Sequence, residues 1–326
     1  MLVMGFAKMD LKQLRYFLAI AEEGTLSAAA RRLNVAQPAL THHLRNMETE
    51  LGVELFRRHP RGVALTEAGS LLRQRATLLL SEFERTRDDI RNLEGDPRGE
   101  VRLGLPATIS EILSVPLILS AQDALPGIKL TIAEAMSGFV LDWLKEGLVD
   151  IAVLYLRDPS GELSSEPLLR EELVVVSPHG AEIGERVSMR DLCARNLVLP
   201  SRTHGLRMQL EQEAAAVGAT LQPINELDSF VNIKRLVAAG HCSSVLPLHA
   251  VTHAKDKGRF RISHFDGNGL FRDVFLVARE RKTLSHACAA ISMKLQECVE
   301  SIVEKGEWRG AFPMVGQDAN VSDSRQ

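Results

Sequence analysis

The chain is poor in aromatics and cysteine and has no long apolar run. Aromatic residues make up 5% of 326, so its cores must be aliphatic, which an apolar content of 45% allows. Cys193, Cys242, Cys288 and Cys298 form no CxxC and no His/Cys cluster. Zinc needs close ligand pairs, so this pattern argues against a structural metal. Reduced, mostly buried thiols are the plain reading, and a redox sensor on Cys193 or Cys242 is a minor alternative. The histidines show no metal-like spacing except His249–His253, where a solvated helix is the preferred reading. No stretch approaches the roughly 20 apolar residues of a membrane span. Residues 1–8 are too short for a signal peptide and lack a small-residue cleavage site. The expectation is a cytoplasmic protein with no membrane partner, a disordered extension over 1–8 and Met9 as an alternative start. G-x-S-x-G, H-E-x-x-H, a P-loop and a strand-end GxGxxG are all missing. Neither an enzyme nor a cofactor is expected.

Charge is distributed unevenly. Residues 1–75 hold 11 Lys and Arg against 7 Asp and Glu, while the whole chain is -3. A basic head on an acidic body suits nucleic-acid binding, although the excess is small. Residues 11–95 read as nearly pure helix. Beyond Gly99, short Val/Ile/Leu runs alternate with helical patterns: Val101–Leu105, Ile128–Ile132, Ile151–Leu154, Leu173–Val176, Leu197–Leu199, Ser244–Leu246 and Val274–Val277. That alternation predicts βαβ units with parallel, buried strands. The segment Gly95–Gly99 is a linker, and polar residues from 309 onward read as a disordered tail.

The head carries the sharpest signal. Leu14, Phe17, Leu18 and Ala21 share one helical face, and Gly24 ends that helix. Thr25 or Ser27 caps a short second helix rich in alanine, whose small side chains permit a tight crossing. Asn34 and Val35 turn the chain into a third helix begun by Ala36-Gln37-Pro38 and ended by Gly52. Leu40, Leu44, Met47 and Leu51 face its core. Ala36, Gln37, Pro38, Thr41, His42 and Arg45 point away and suit a major-groove reader, with Arg45 placed for phosphate. A two-stranded wing follows, with Arg57, Arg58 and Arg61 for the DNA backbone or minor groove. Next, Leu72, Ala76, Leu79, Phe83, Thr86, Ile90 and Leu93 form a heptad stripe on one long helix capped by Thr66. A lone helix cannot bury such a seam, so a second copy of the chain is the expected partner.

These segments bring a family into view. Phe17–Glu22, Leu26–Ala30, Ala36–Thr41, Leu51–Arg58 and Leu65–Gly69 resemble the LysR-type transcription regulators. Thr41 stands where the family usually has Ser. His42 and His43 stand where it has Gln or Arg, and they suggest a pH-sensitive DNA affinity. Leu144–Val153 and Leu236–Gly240 resemble the family's effector domain, and Leu141–Gly147 is similar to its nitrogen assimilation control branch.

The resemblance implies a multi-domain chain. An all-α winged helix-turn-helix occupies 9–66, a dimerising linker helix 67–95, and an α/β effector domain 99–308 resembling type II periplasmic binding proteins. Lobe I would span about 99–168 and 270–308, lobe II about 169–269, with a tail over 309–326. In open α/β sheets, ligands meet strand C-termini and helix N-termini. Four such places are readable: Pro106–Thr108, Met136–Gly138, Pro200–His204 and Asp228-Ser229. By resemblance these line one interlobe cleft. Thr108, Ser137, Ser201, Thr203 and Ser229 would donate to ligand oxygens, and Arg202 or His204 would pair a carboxylate.

The implied function is transcription control by an effector, an organic anion, acting on double-stranded operator DNA through a dimer or tetramer. RNA polymerase stays open as a further partner. The competing reading is a solute-binding module or enzyme on the same body with no DNA role.

Overall fold

The computed structural model describes residues 9–91, 96–252, 258–279 and 284–314, apart from the side chains at 88, 89 and 91. They divide into two units: Met1–Gly95 with Lys145–Leu148, and the remainder from Asp96. Residues 1–8 and 315–326, together with Leu93 and His253, lie outside the described residues, as do the expectations placed on them.

The first unit opens with α1 (Leu11–Glu23). Asp10 accepts the Gln13 N–H, Gln13 answers the Asp10 N–H, and the helix ends at Gly24 with φ 66°. Helix α2 (Leu26–Arg32) is capped by Thr25 and buries only Ala29 and Ala30. Asn34 takes φ 53° in the turn, a conformation asparagine tolerates better than most residues. Helix α3 (Gln37–Leu51) buries Leu40, Leu44 and Met47 and stops at Gly52, φ 69°. Leu51, expected on the same stripe, lies outside the core at 40% exposure. It sits in the last helical turn, beyond the reach of α1 and α2.

Strands β1 (Phe56–His59) and β2 (Gly62–Leu65) form an antiparallel hairpin turning at Pro60-Arg61. Gly62 has no substitute there. A Cβ on it would sit 2.2 Å from the Gly24 carbonyl oxygen, which accepts the Val63 N–H at 2.8 Å. Helix α4 (Glu67–Arg91) follows. The Thr66 hydroxyl donates to the Glu54 carbonyl at 2.7 Å and accepts the Gly69 N–H at 3.0 Å, so Thr66 is the expected cap. Ala76 is buried, but further along the stripe Leu79, Phe83 and Ile90 are 54%, 45% and 63% exposed.

The second unit runs β3 (Gly99–Leu105), α5 (Ala107–Ala124), β4 (Ile128–Glu134), α6 (Ser137–Glu146), β5 (Ile151–Leu154) and the long β6 (Ser164–Pro178). Then come β7 (Arg186–Val187), α7 (Met189–Cys193), β8 (Val198–Leu199), α8 (Gly205–Ala216), β9 (Asn225–Glu226), α9 (Phe230–Ala238) and β10 (Ser244–Pro247). A 3-10 turn over Leu248–Val251, β11 (Phe260–Phe265), β12 (Leu270–Ala278), α10 (His286–Glu304) and β13 (Ala311–Pro313) complete it.

Parallel pairing holds for β3 with β4 and β5, for β7 with β11, and for β8 with β9. It fails elsewhere: β6 pairs antiparallel with β10, β11, β12 and β13, and β5 pairs antiparallel with β12. Strands β6 and β12 are the reason, since they cross between two lobes in opposite directions. Leu169 and Val274 belong to the core that contains Val101, Leu113 and Ile291. A few residues along the same strands, Leu173 and Leu270 belong to another core, with Leu199 and Leu210. Truncating one of these fully buried leucines to alanine costs about 2–5 kcal/mol.

The tail expectation needs correcting from 309 to 314. Trp308 is 2% exposed, and β13 adds to β6 with Ala311 opposite Glu171. An apolar Ala-Phe-Pro run beside an open strand edge joins the sheet despite its polar flanks.

Candidate functional site

The third helix of the first unit presents a continuous outer face. Ala36, Gln37, Pro38, Ala39, His42, Arg45 and Asn46 are all exposed. The Thr41 hydroxyl donates back to the Gln37 carbonyl at 3.0 Å, which leaves only its methyl outward. Asn46 Nδ2 lies 3.2 Å from His42 Nε2. His43 departs from expectation: its ring packs edge-on to Tyr16, 5.1 Å between centroids, and its Nδ1 is buried. Arg57, Arg58 and Arg61 of the hairpin are exposed. The Glu48 carboxylate holds the hairpin's root by accepting the Leu55 N–H at 2.9 Å. Ser27, Arg31 and Gln37 line an open concavity between α2 and α3. Ser27 and Arg31 were missed in the sequence, although a basic residue in the last turn of α2 was a readable signal.

The second unit holds two joined chambers between its lobes. The inner one, about 370 Å³, is lined by Thr108, Ser137, Pro200, His204, Ser229 and Arg272, among others. The outer one, about 1000 Å³, includes Phe139, Arg157, Thr203, Gln209, Phe271 and Phe275. Five of the seven expected ligand residues thus line a chamber: Thr108, Ser137, Thr203, His204 and Ser229. Ser201 and Arg202 line neither. Ser201 is turned to Asp228, whose carboxylate accepts its N–H at 2.8 Å and its hydroxyl at 3.1 Å, and Arg202 is exposed. The inner chamber's carboxylates stand at its edge: Glu134 is exposed, and both Asp228 oxygens are engaged by Ser201.

The buried cation of the cleft is Arg272, 7% exposed. It faces Glu171 across β6 and β12 in register, and its Nε donates to Glu171 Oε1 at 2.5 Å. Its guanidinium lies 3.4 Å over the Tyr155 ring. The Tyr155 hydroxyl meets Thr108 Oγ1 at 2.6 Å, and burial pushes its pKa up, so it remains a neutral hydroxyl. Glu171 is itself fully buried and accepts the Trp308 indole N–H at 3.0 Å. His249 Nδ1 lies 3.3 Å from the same carboxylate, while its Nε2–H donates to the Thr108 carbonyl at 3.0 Å. Burial alone would raise the Glu171 carboxyl, but Arg272, His249 and Trp308 outweigh it and hold it at about 2.

His204 caps α8, its Nδ1 accepting the Leu206 N–H at 3.2 Å. Burial and the nearby Arg272 charge lower its pKa to about 4, against the opposing pull of Asp228. It is neutral at pH 7 and pairs no carboxylate as a cation. Of the cations near the cleft, Arg202 is exposed and lines neither chamber, whereas Arg272 is buried and lines both.

Two family models match. One, bacterial regulatory helix-turn-helix protein of the lysR family, spans residues 11–70. The other, LysR substrate binding domain, spans 94–297.

The chain belongs to the LysR family.

It is a DNA-binding transcription regulator with an effector-binding domain. The nitrogen assimilation regulatory protein nac of Klebsiella aerogenes is 32% identical over 240 residues, 73% of this chain and 78% of that one. Full-length OxyR from Pseudomonas aeruginosa superposes with a TM-score of 0.74 at 25% identity, covering 95% of this chain and 99% of that one. CbnR, solved in complex with its target DNA, has the same fold with a TM-score of 0.52 at 22% identity, covering 89% and 100%. Among the described residues, no helix is long and apolar enough to cross a membrane, and no group of His, Cys, Asp and Glu could hold a metal ion.

Two predictions come from the regulator's cleft. Glu171→Gln leaves Arg272 buried against a neutral amide, and it should destabilise the effector domain by about 3–5 kcal/mol in urea unfolding. An unchanged midpoint would mean that Arg272 finds another partner. The second concerns pH. The unfolded chain protonates His204 near 6.5, the folded chain near 4. Between these values the unfolded state binds more protons, so stability falls as pH drops from about 6.5 to about 4. His204→Asn should flatten that part of the stability–pH curve; an identical slope in the variant would remove His204 as its source.

Proposed function

We propose that this LysR-family chain reads operator DNA with the outward face of α3, braces it with the wing arginines, and answers a small organic anion held at Arg272. The observation that carries the DNA part is the unbroken exposure of Gln37, Pro38, His42 and Arg45 beside Arg57, Arg58 and Arg61. Side chains near a helix N-terminus reach base edges, where Gln pairs with adenine and Thr41's methyl meets thymine. Ala36 supplies no side-chain cap, so the Gln37 N–H is open to a phosphate. Arg272 and the uncapped start of α5 support an anionic effector. The chain acts by binding, with no reaction of its own, in the cytoplasm. RNA polymerase is the expected listener.

The exposed Leu79, Phe83 and Ile90 support pairing of two α4 helices, and two such dimers would make a tetramer. Effector binding would shift the lobes toward a closed state and change the spacing of paired heads on DNA. A cysteine switch is less favoured. Burial raises the Cys193 and Cys242 thiols, whereas a sensor cysteine needs thiolate character.

DNA binding is tested by gel shift over a salt series. Arg58→Ala should weaken binding to every sequence and lower the slope of log K against log salt by about 1. Gln37→Ala should cost about 1–3 kcal/mol on the cognate site and relax its base preference. A Gln37→Ala protein that keeps full preference would place another residue against the bases. For the α4 seam, Leu79→Glu with Phe83→Glu should yield monomers in sedimentation equilibrium. Retention of the parent's mass would move the dimer interface elsewhere.

A further inference from the structure

We propose that the effector is a carboxylic acid with a large, flat, uncharged apolar body, its acid group in the inner chamber and its body in the outer one. This rests on the anionic reading above and adds the part of the molecule that selects it. A compact acid needs no more than the inner chamber, about 370 Å³. The outer chamber, about 1000 Å³, opens directly off it, since Met136, Ser137, Tyr155, His204, Leu206 and Arg272 line both.

Beyond that shared wall the lining adds the apolar Phe139, Met208, Phe271 and Phe275, interspersed with the polar Thr203, Gln209 and Gln212. Phe139 is 54% exposed and Met208 48%. In a chain only 5% aromatic, three phenylalanines on one cavity are a concentration; Phe275 is buried and Phe271 half-buried, and the exposed Phe139 is the ring an apolar ligand would cover. The walls are braced. Phe312 packs edge-on to Phe271 at 5.7 Å between centroids, and the Arg157 guanidinium lies 4.7 Å over the Phe275 ring.

Charge gives the rest. In the outer chamber Arg170 donates to Asp273 at 2.7 Å, and the Arg157 charge is offset by Asp142, opposite in sign, on the same lining. Those charges balance, so a charged body would gain nothing there. Arg272 sits at the junction with its Nε engaged by Glu171 and its Nη2 only 3.5 Å from Thr108 Oγ1. The junction is therefore where an acid group can meet a guanidinium while its body turns outward over flat rings.

The test is thermal unfolding of the full chain with five probes. Succinate and citrate are compact acids, phenylpropionate and indoleacetate carry flat bodies, and phenylpropionamide has a body without the acid. The two aryl acids should raise Tm at concentrations about tenfold or more below those the compact acids need, and the amide should not. Phe139→Ser alters an exposed side chain and leaves the cores intact. It should raise the aryl-acid concentration required about fivefold while leaving the compact acids unchanged. Equal potency of compact and aryl acids, with no effect of Phe139→Ser, overturns the apolar body and spares the anionic reading. An amide as potent as its acid overturns the anionic reading and, with it, the two-part ligand. A panel in which no probe raises Tm overturns both.

Discussion

A carboxylate with no access to water is tolerable only if donors and cations surround it. Glu171 is that carboxylate, and the effector domain is arranged around it. Its neighbours come from far apart in the chain: Arg272 from the second crossover strand, His249 from the turn after β10, and Trp308 from the segment before β13. Each would be costly to bury alone. Together they surround the carboxylate, with Arg272 and Trp308 donating to its two oxygens, and fasten the two crossover strands at the level where the lobes part. The link continues outward, because His249 donates to the Thr108 carbonyl at the start of α5, and Thr108 meets the hydroxyl of the ring on which Arg272 lies. The group that lines both chambers and the group that ties β6 to β12 are thus the same ion pair.

The head obeys a different constraint, close approach of backbone. Alanines in α2, a glycine at the wing that could not carry a Cβ, and left-handed residues at Gly24, Asn34 and Gly52 let three short helices and a hairpin share one small core. Packing uses one side of α3, so the other side is left to solvent. That division follows from helical periodicity, and it leaves the outer face of α3 exposed without any further device. Arg57 and Arg58 point to opposite faces of the hairpin, and both stay exposed because only Phe56, at the root of β1, is buried.

The first unit ends in a helix, α4, whose apolar stripe is satisfied at its start and unsatisfied later. Ala76 is buried within the head, while Leu79, Phe83 and Ile90 remain in water. An amphipathic helix with no second layer is an unfinished structure in a monomer. In the proposed dimer a partner helix of the same sequence would complete it and bring two heads to one DNA.

Much was legible from the sequence because its rules are local. Heptad and 3.6-residue spacing, the Thr25 and Thr66 caps, the glycine stops and the Gln37-Pro38 start depend on residues a few positions apart, and those features and the family resemblance that they carry could be read directly. The cleft was legible in part for the same reason: strand ends and helix starts mark Thr108, Ser137, Thr203, His204 and Ser229. What only the tertiary structure decided was which charge those ends surround. Glu171 and Arg272 are a hundred residues apart, and they meet because β6 and β12 cross antiparallel, a pairing that alternating apolar runs misreport as parallel. Nor could spacing show that His204 is neutral, that Ser201 is spent on Asp228, that His43 is turned inward against Tyr16, or that Ala311–Pro313 returns to the sheet. Each of these depends on burial and on partners distant in sequence, and such partners exist only once the chain has folded.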